Sequence, residues 1–556
     1  MITDWRAKKS RVREDIQRDY RRGWLIWLSV LVAFGVVLVR LATLQVFFGG
    51  RYAKLADENR IHQVRLAAPR GEIVDRNGEV LARNKQVTVR EADLEIEVDQ
   101  WRREYPVGAA AAHVVGYPGE VGEEEVGLLK SAGQKYEVGD LVGRMGLEQE
   151  YEGSLRGLAG GRLVEVDNLG QVVRELGRRD PVPGARLDTT IDAGLQRTAY
   201  EALNLGRAIP RYKGVIKGGV VVTDPRTGEI LAMASSPGFD PEVFSGDPDR
   251  AGEVQQVLTN GDMPLLNRVI GGVYAPGSTF KLATMTAAMG SGKVRPDFTF
   301  TDAGVITVGD FRYTNWLFTK RGLTEGTVGF VRALARSTDT FFYKVGELTG
   351  PETMAEWATR MGLGTLTGVD LPGEVAGLIA TPQWKEKEKG ERWFLGNTYH
   401  MAIGQGDILV TPMQINLMTN VAATGGQLCR PHIWKAAGGQ CVDTRIDPEV
   451  LEMVRQGMTE ACSPGGTAFP LFDFRPLAGC KTGTAEYVDH DGKVRTHGWL
   501  TAYAPADDPS ISVTVVVEGG GEGSNVAAPI VRQVLARHFG VDDRYNYLAV
   551  PQQFGE

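Results

Sequence analysis

The chain has 556 residues, a length that allows about three or four domains or two large mixed ones. Its formal net charge of -7 argues against a nucleic-acid partner, because phosphate binding needs a basic face. The seven histidines are scattered, and none stands at a metal-ligand spacing from a cysteine or a carboxylate. We therefore expect no nucleic acid, no metal and no organic cofactor.

The first 50 residues predict a membrane anchor. An apolar run covers residues 24–39 and resumes after Arg40 through Phe48, which is long enough for one tilted helical span. The segment before it carries more basic than acidic residues, so the positive-inside rule puts the N-terminus in the cytoplasm and everything after about residue 50 outside. A cleaved signal peptide is the alternative, but residues 49–52 offer no clear small-x-small cleavage site.

The part between residue 51 and about residue 213 is charged, rich in glycine and without a long apolar helix. This composition is typical of a platform of strands and short helices. The platform ends near an amphipathic helix predicted at residues 193–205.

Two β-hairpins with helical segments between them are predicted after about residue 213. Strands at both ends with helices between them indicate an α+β domain, with a central antiparallel sheet flanked by helices. The predicted hairpins pair 219–223 with 230–234 and 499–504 with 511–517, and the predicted helices include 331–348 and 527–539.

Lys281 lies in a stretch, residues 274–289, that predicts a helix with almost no polar face. A helix that is apolar on nearly all sides is buried, and a buried lysine usually has a lowered pKa and can act as a neutral amine. Ser278 stands one turn earlier on the same face, at the Pro-Gly start of the helix. The pair predicts a nucleophile and its base, although Ser-x-x-Lys arises by chance about once or twice in a chain of this length.

Two further motifs follow in order. Ser337-Thr338-Asp339 comes about 60 residues downstream, and Lys481-Thr482-Gly483-Thr484 comes about 140 residues after that. This is the order of motifs in penicillin-binding proteins and class A β-lactamases. Taken alone, Lys-Thr-Gly is better explained by an ordinary strand-end turn. Three elements in order are far less expected by chance than one.

With these motifs the chain resembles the class B penicillin-binding proteins, which are membrane-anchored peptidoglycan D,D-transpeptidases. Within that family, Ser-x-Asp followed by Thr340-Phe341-Phe342-Tyr343 is more similar to the elongation-type enzymes than to the division-type ones, which usually carry Ser-x-Asn. The resemblance extends nearly end to end through landmarks at 69–78, 112–117, 146–148, 155–157, 190–192, 404–406 and Thr411-Pro412.

The resemblance implies a division of the chain. We expect a cytoplasmic tail at 1–22, a transmembrane helix at 23–48, an N-terminal pedestal at 49–212 and a transpeptidase domain at 213–556. The interval from Gly78 to Ala112 is shorter than in relatives, which generally place a longer head subdomain there. A reduced head puts regulation by an elongation scaffold protein in doubt, whereas catalysis need not be affected.

The resemblance also implies partners. These are peptidoglycan stem peptides as substrates, β-lactams as inhibitors and a polytopic SEDS-family peptidoglycan glycosyltransferase in the membrane. Arg40 and Gln45 lie toward the outer end of the predicted anchor, where they either snorkel to the interface or face that partner. We favour snorkelling for Arg40.

The chemistry implied for the motifs is acyl transfer. Ser278 Oγ attacks the penultimate D-Ala carbonyl of a stem peptide, Lys281 takes its proton, and the terminal D-Ala leaves. By resemblance, Ser337 relays a proton to the departing amine, and Lys481 holds that relay and the substrate carboxylate electrostatically. The backbone N–H groups of Ser278 and Thr484 form the oxyanion hole.

Three assignments depend on the surroundings of these residues. Thr482 and Thr484 offer hydroxyls to the substrate carboxylate, and Gly483 leaves room for substrate along the strand. Asp339 adds negative charge beside two lysines, which favours a protonated Lys281 unless Lys481 takes most of that field. Asp339 either takes a direct part in catalysis or only orients its loop.

All four cysteines, Cys429, Cys441, Cys462 and Cys480, lie in the predicted transpeptidase domain. An extracytoplasmic domain with an even number of cysteines permits disulfides, although the sequence does not give their connectivity. A bridge from Cys462 to Cys480 would brace the strand that carries Lys481. Buried free thiols are the alternative.

The sequence alone allows three other functions to be considered. A β-lactamase or β-lactam sensor shares the serine and lysine motifs but has little need of the pedestal landmarks. A catalytically silent scaffold for the glycosyltransferase is disfavoured by the intact Ser278, Lys281, Ser337 and Lys481. A division-type transpeptidase is the nearest alternative.

Overall fold

The computed structural model describes residues 3–91, 96–131, 133–167, 171–205, 216–489 and 491–545. The chain forms two compact units, one of residues 1–68, 87–100 and 158–182 and the other of residues 69–86, 101–157 and 183–556. The boundary predicted between residues 212 and 213 lies outside the described residues and stays a prediction.

Up to residue 205 the chain alternates short helices and strands after a long first helix. The described helices are α1 Thr3–Ala42, α2 Gly49–Arg60, α3 Ala112–Val115, α4 Glu123–Ser131, α5 Gly146–Glu150, α6 Glu152–Leu155 and α7 Ala193–Leu205. The strands are β1 Ile61–Leu66, β2 Ile73–Val74, β3 Val80–Glu91, β4 Ile96–Glu104, β5 Pro118–Glu120, β6 Leu141–Gly143, β7 Gly160–Val166, β8 Val172–Arg179 and β9 Leu187–Asp188.

From residue 216 onward most helices lie between the first two and the last three strands. The helices are α8 Ala251–Thr259, α9 Lys281–Gly290, α10 Trp316–Arg321, α11 Phe330–Arg336, α12 Asp339–Thr349, α13 Pro351–Arg360, α14 Pro382–Trp384, α15 Leu395–Ala402, α16 Pro412–Thr424, α17 Pro448–Ala461, α18 Gly523–Val526 and α19 Ala528–Phe539. The strands are β10 Gly218–Thr223, β11 Ile230–Ser236, β12 Thr299–Asp302, β13 Val305–Val308, β14 Phe311–Thr314, β15 Gly326–Gly329, β16 Leu378–Ile379, β17 Ile408–Leu409, β18 Gln427–Cys429, β19 Cys441–Asp443, β20 Gly479–Val488, β21 Val494–Ala504 and β22 Ile511–Val517.

The first unit contains the apolar helix and a small sheet. The segment Gly23–Phe47 has 25 residues and is apolar and long enough to cross a membrane, because 25 helical residues span about 37 Å and the hydrocarbon core measures about 30 Å. The predicted N-terminal apolar helix is therefore confirmed. Strands β1, β7 and β8 form a three-stranded sheet, in which Val64, Val164 and Val166 pack together.

In the second unit a buried ion-pair network joins two of the sequence landmarks. Glu148 is fully buried and accepts hydrogen bonds from Arg70 Nε over 2.9 Å and from Arg103 Nε over 2.7 Å. Arg70 also pairs with Glu152 over 2.7 Å. Burial alone raises the pKa of Glu148, but the two arginines outweigh it and the pKa is lowered. The landmark residues Arg70 and Glu148 thus stabilise this part of the second unit, because a buried charge that loses its partner is strongly destabilising.

A five-stranded antiparallel sheet in the order β11-β10-β22-β21-β20 forms the centre of the second unit. Alternate residues of β21 face opposite sides, as the strand period requires. Leu500 and Ala502 belong to the core with α7 and α19, whereas Trp499 and Tyr503 belong to the core with α9, α12 and α16. The predicted α+β fold with a central antiparallel sheet is confirmed, and β20 lies at its edge.

Candidate active site

Ser278 lies in a tight turn that leads into the buried helix α9. Residues Gly277–Phe280 form a 3₁₀ turn that continues directly as α9. Gly277 has φ +54, and a Cβ at this position would lie 2.7 Å from the carbonyl O of Thr484. Glycine is needed here because the turn combines a left-handed φ with a close approach to β20.

The landmark at 404–406 packs against the same turn. The N–H of Gly277 donates to Gly404 O over 2.9 Å, and a Cβ on Gly404 would lie 2.1 Å from Gly277 O. Gln405 Nε2 donates to Thr484 O over 3.4 Å. This loop therefore fixes the serine turn against the edge strand.

Ser337 stands at a break between α11 and α12. The sequence predicted one continuous helix over 331–348, and that prediction is wrong. Ser337 has φ +57, a left-handed conformation that costs a non-glycine residue on the order of 1–3 kcal/mol. Lys281 Nζ donates to the carbonyl O of Ser337 over 2.9 Å and so stabilises this conformation. The break turns both oxygen atoms of Ser337 toward the lysine.

Lys481 lies on the edge strand β20, and its side chain is fully buried. Its Nζ donates to Ser337 Oγ over 3.0 Å and to Thr482 O over 2.9 Å. The preceding residue, Cys480, forms a disulfide with Cys462 at the end of α17, which decides between the bridge and the buried free thiols that the sequence left open. A second disulfide joins Cys429 to Cys441. The first bridge ties β20 to α17 one residue before Lys481.

Lys281, Ser337 and Lys481 form one buried hydrogen-bonded cluster. Lys281 Nζ donates to Ser337 Oγ over 3.1 Å, and Lys481 Nζ donates to the same oxygen over 3.0 Å. Both lysines are completely excluded from solvent. Because a hydroxyl can both accept and donate, a proton can pass between the two amines through Ser337.

Burial sets the charge of the cluster. It lowers the pKa of Lys281 below its usual range, although the charge of Asp339 opposes the shift. Burial lowers the pKa of Lys481 well below its usual range, and the nearby charge of Lys281 adds to the effect. The cluster therefore favours a neutral amine, as expected for Lys281 from its apolar helix.

The carboxylate of Asp339 is shared between two donors. Its Oδ1 accepts from Lys281 Nζ over 2.6 Å, and its Oδ2 accepts the backbone N–H of Trp316 over 3.0 Å. Lys481 makes no ion pair among the described residues, so the field of Asp339 falls chiefly on Lys281. The sequence analysis expected a neutral Lys281 only if Lys481 took most of the field of Asp339, and Lys481 does not do so. The lowered pKa of Lys281 must therefore come from burial.

Ser278 itself is half-buried. Within the described part of the chain its Oγ makes no hydrogen bond, and Lys281 directs its Nζ to Ser337 and Asp339 instead. In substrate-free enzymes, catalytic hydrogen bonds are often long and form only when substrate binds. The arrangement is therefore a resting one, with the amine one helical turn from the serine.

Gly483 lies where the serine turn touches β20. A Cβ on Gly483 would lie 3.0 Å from Pro276 O, Thr279 Cγ2 and Trp499 Cβ. The serine turn and Trp499 of β21 therefore make the close approach that demands glycine, and room for substrate along the strand stays a prediction.

Two threonines flank Gly483 on β20. Thr482 Oγ1 shares a hydrogen bond of 2.8 Å with Thr467 Oγ1. Thr484 is exposed. The hydroxyl of Thr484 is therefore open to an incoming group, whereas that of Thr482 already has a partner.

Sequence reasoning missed the segment that supports Asp339. Asn315 and Trp316 contact Asp339 through backbone and side-chain hydrogen bonds, yet they stand more than 20 positions away in the sequence, and no spacing marks them. In the part of the chain that the structure describes, no group of three or more histidines, cysteines or carboxylates is placed to hold a metal ion.

Comparison with known proteins gives the family. Residues 218–536 match the penicillin binding protein transpeptidase domain, and residues 89–189 match the penicillin-binding protein dimerisation domain. The chain is 31% identical to the peptidoglycan D,D-transpeptidase MrdA of Acinetobacter baumannii, over 92% of this chain and 87% of that protein.

Two solved structures are similar to the chain as well. One, described as structural coordination of polymerization and crosslinking by a peptidoglycan synthase complex, has a TM-score of 0.75 and 31% identity, over 94% of this chain and 99% of that one. The other is the penicillin-binding protein PBP2 of Helicobacter pylori in complex with MreC, with a TM-score of 0.73 and 26% identity, over 87% of this chain and 99% of that one.

These relatives confirm the resemblance inferred from the motifs, including the elongation type inferred from Ser-x-Asp and the residues after it. The alternatives of a β-lactamase, a sensor, a silent scaffold and a division-type enzyme are set aside. The chain belongs to the class B penicillin-binding proteins and is a peptidoglycan D,D-transpeptidase of the elongation type.

Proposed function

We propose that the chain cross-links stem peptides through an acyl-enzyme on Ser278. Ser278 Oγ attacks the penultimate D-Ala carbonyl, the bond to the terminal D-Ala breaks, and an ester remains on the serine. The amine of a second stem peptide then attacks this ester, forms the cross-link and returns the proton to Ser278. The observation that carries the proposal is the pair of buried lysines that share Ser337 Oγ beside the serine turn.

Lys281 is the base for Ser278 in this scheme. A serine hydroxyl is a weak nucleophile until a base takes its proton. Burial lowers the pKa of Lys281, so its neutral amine is more accessible than that of an exposed lysine. Since Lys281 also contacts Ser337 Oγ over 3.1 Å, the proton taken from Ser278 has a route onward.

Ser337 passes that proton to the departing amine, and Lys481 completes the relay. The pKa of Lys481 is held well below its usual range by burial and by the charge of Lys281. An arriving substrate carboxylate favours the charged form of a nearby amine. Substrate binding therefore draws a proton onto Lys481 at the moment when the cluster must hold one.

The remaining contacts bind and stabilise the reacting group. The N–H of Ser278 lies in the first turn of its helix, where N–H groups have no intrahelical acceptor, and with the N–H of Thr484 it forms the oxyanion hole. Thr484 holds the substrate carboxylate through its open hydroxyl, and Thr482 adds a second donor by accepting a hydrogen bond from Thr467 Oγ1 while it donates to the carboxylate. A β-lactam acylates the same serine, and its ester persists because no amine displaces it.

The chain crosses the membrane once, with residues 1–22 in the cytoplasm and the transpeptidase domain outside. The apolar segment Gly23–Phe47 supports the crossing, and the basic residues before it support the orientation. We also propose a polytopic SEDS-family glycosyltransferase and an elongation scaffold protein as partners. Similarity to the peptidoglycan synthase complex and to PBP2 bound to MreC supports them.

The test is donor turnover by the full chain in detergent. Purified protein is given a peptidoglycan donor ending in D-Ala-D-Ala, and both free D-alanine and cross-linked product are measured. Ser278→Ala is expected to abolish both. Ser291→Ala, which changes a half-buried serine at the end of the same helix, is the matched control and is expected to keep both. Turnover that survives in Ser278→Ala contradicts the proposal.

A further inference from the structure

Asp302 and Asn315 form a buried hydrogen-bonded pair behind the active site. Asp302 is 2% exposed and Asn315 is 0% exposed. Asn315 Nδ2 donates to Asp302 Oδ2 over 2.8 Å. No step of the mechanism above uses either residue, yet a buried carboxylate is costly unless its oxygens are fully bonded.

The carboxylate of Asp302 is fully bonded. Its Oδ1 accepts from Gly304 N over 2.8 Å and from Thr340 Oγ1 over 2.7 Å. Its Oδ2 accepts from Glu325 N over 2.9 Å in addition to Asn315. Burial alone raises the pKa of Asp302, but these hydrogen bonds outweigh it and the pKa is lowered. Asp302 is therefore a fixed anion that orients the amide of Asn315.

Asn315 transmits this orientation to Asp339 in two ways. Its Oδ1 accepts the backbone N–H of Asp339 over 3.2 Å. The residue that follows, Trp316, donates its own backbone N–H to Asp339 Oδ2 over 3.0 Å. Trp316 is held from its other end, because its indole Nε1 donates to Arg336 O over 3.0 Å.

We propose that Asp302 and Asn315 are positioning residues for acylation of Ser278: they hold the N–H of Trp316 against one oxygen of Asp339, so that only the other oxygen engages Lys281. The inference rests on the proposed function, in which Lys281 removes the proton of Ser278. With Oδ2 occupied, the carboxylate cannot turn both oxygens onto the lysine. Lys281 keeps its contacts with Ser337 and can still give up its proton.

The charged groups that act on Lys281 are Asp339 from α12 and Lys481 from β20. Loss of the Trp316 donor frees Asp339 to bind Lys281 with both oxygens, which raises the pKa of the lysine. Because the base must be neutral, the rise of the acylation rate with pH then occurs at higher pH. A purely structural role predicts a different result, namely fewer active molecules at every pH.

The experiment measures the acylation rate of the full chain in detergent by a fluorescent penicillin from pH 5 to 10. The rate is expressed per molecule that labels at saturation, so unfolded protein does not count. Asn315→Ala is expected to slow acylation about tenfold at pH 7 and to move the rising limb up by about one pH unit, the worth of one hydrogen bond to a charged group. Asp302→Asn places an amide NH₂ donor where one carboxylate oxygen accepts from two donors, and it is expected to move the rising limb in the same direction. This variant replaces Asn315→Ala in the experiment if Asn315→Ala does not fold.

Thr340→Val is the matched control. It removes one buried hydrogen bond to Asp302 but leaves the link through Asn315 intact, so its limb is expected to stay in place. An unchanged rate in Asn315→Ala, or a loss that is equal at every pH, overturns the positioning role while leaving the proposed function standing. If wild-type protein labels at a residue other than Ser278, the proposed function falls and this inference with it.

Discussion

Replacing Asp339 by asparagine separates a catalytic carboxylate from one that only orients its loop. Asp339 accepts two hydrogen bonds, from Lys281 over 2.6 Å and from Trp316 over 3.0 Å. Asparagine has one acceptor oxygen and one donor group, so it cannot serve both donors. If its NH₂ group faces the N–H of Trp316, two donors meet and that hydrogen bond is lost. If its NH₂ group faces Lys281, only a neutral amine can accept from it.

The magnitude follows from the contact that is lost. A hydrogen bond to a charged group is worth about 1.5–3 kcal/mol, and one pKa unit corresponds to about 1.4 kcal/mol. Removing the charge of Asp339, which opposes the downward shift, is therefore expected to lower the pKa of Lys281 further. The neutral base is then present at lower pH, so the rising limb of the acylation profile is expected to move down by about one to two pH units. The plateau is expected to fall, because a less basic amine is a weaker proton acceptor.

The assay is the pH dependence of fluorescent-penicillin acylation by wild-type and Asp339→Asn protein, with the labelled fraction measured at saturation. The direction is opposite to that expected for Asn315→Ala, and this makes the two variants a paired test. A limb that stays in place with full activity indicates that Asp339 only orients the loop. A limb that moves to higher pH contradicts the assignment of Lys281 as the base.

Three further predictions concern the platform, the serine turn and the topology. Glu148→Gln leaves the buried Arg103 without an anion, whereas Arg70 keeps Glu152, and the change is expected to lower the free energy of unfolding by about 3 kcal/mol, measured by denaturant titration; a change below about 0.5 kcal/mol, as for an ordinary surface substitution, contradicts the network. Gly404→Ala is expected to slow acylation at least about tenfold, since its Cβ meets the serine turn, whereas Gly252→Ala, where a Cβ meets nothing within 4 Å, keeps the wild-type rate. In spheroplasts, protease is expected to remove a C-terminal tag and spare an N-terminal one, and the reverse pattern refutes the orientation.

The sequence was most informative where chemistry is local. Ser278 and Lys281 lie one turn apart, so their proximity follows from helical spacing alone, and the burial of α9 follows from its lack of polar residues. The hairpin of β10 and β11 follows from a turn sequence between two β-prone runs. The bridge from Cys462 to Cys480 was one of several pairings that the sequence allowed.

The sequence was least informative where the fold brings distant residues together. The break at Ser337 depends on one left-handed residue, stabilised by a lysine more than 50 positions earlier, and helix propensity alone gives no sign of it. The demand for glycine at 483 comes from the serine turn and from Trp499 of β21, neither of which can be located before the sheet is known. The interval after Gly78 contains the strands β3 and β4, and residues 92–95 between them lie outside the described residues.

The most direct test of the account is the site of β-lactam attachment. Full-length protein in detergent is incubated with a penicillin, digested and analysed by mass spectrometry, beside Ser278→Ala and Ser291→Ala. One adduct is expected, on the peptide that contains Ser278, and it is absent from Ser278→Ala and retained in Ser291→Ala. An adduct on another residue, or no adduct on protein that is folded by circular dichroism, contradicts the claim that this serine carries the acyl group.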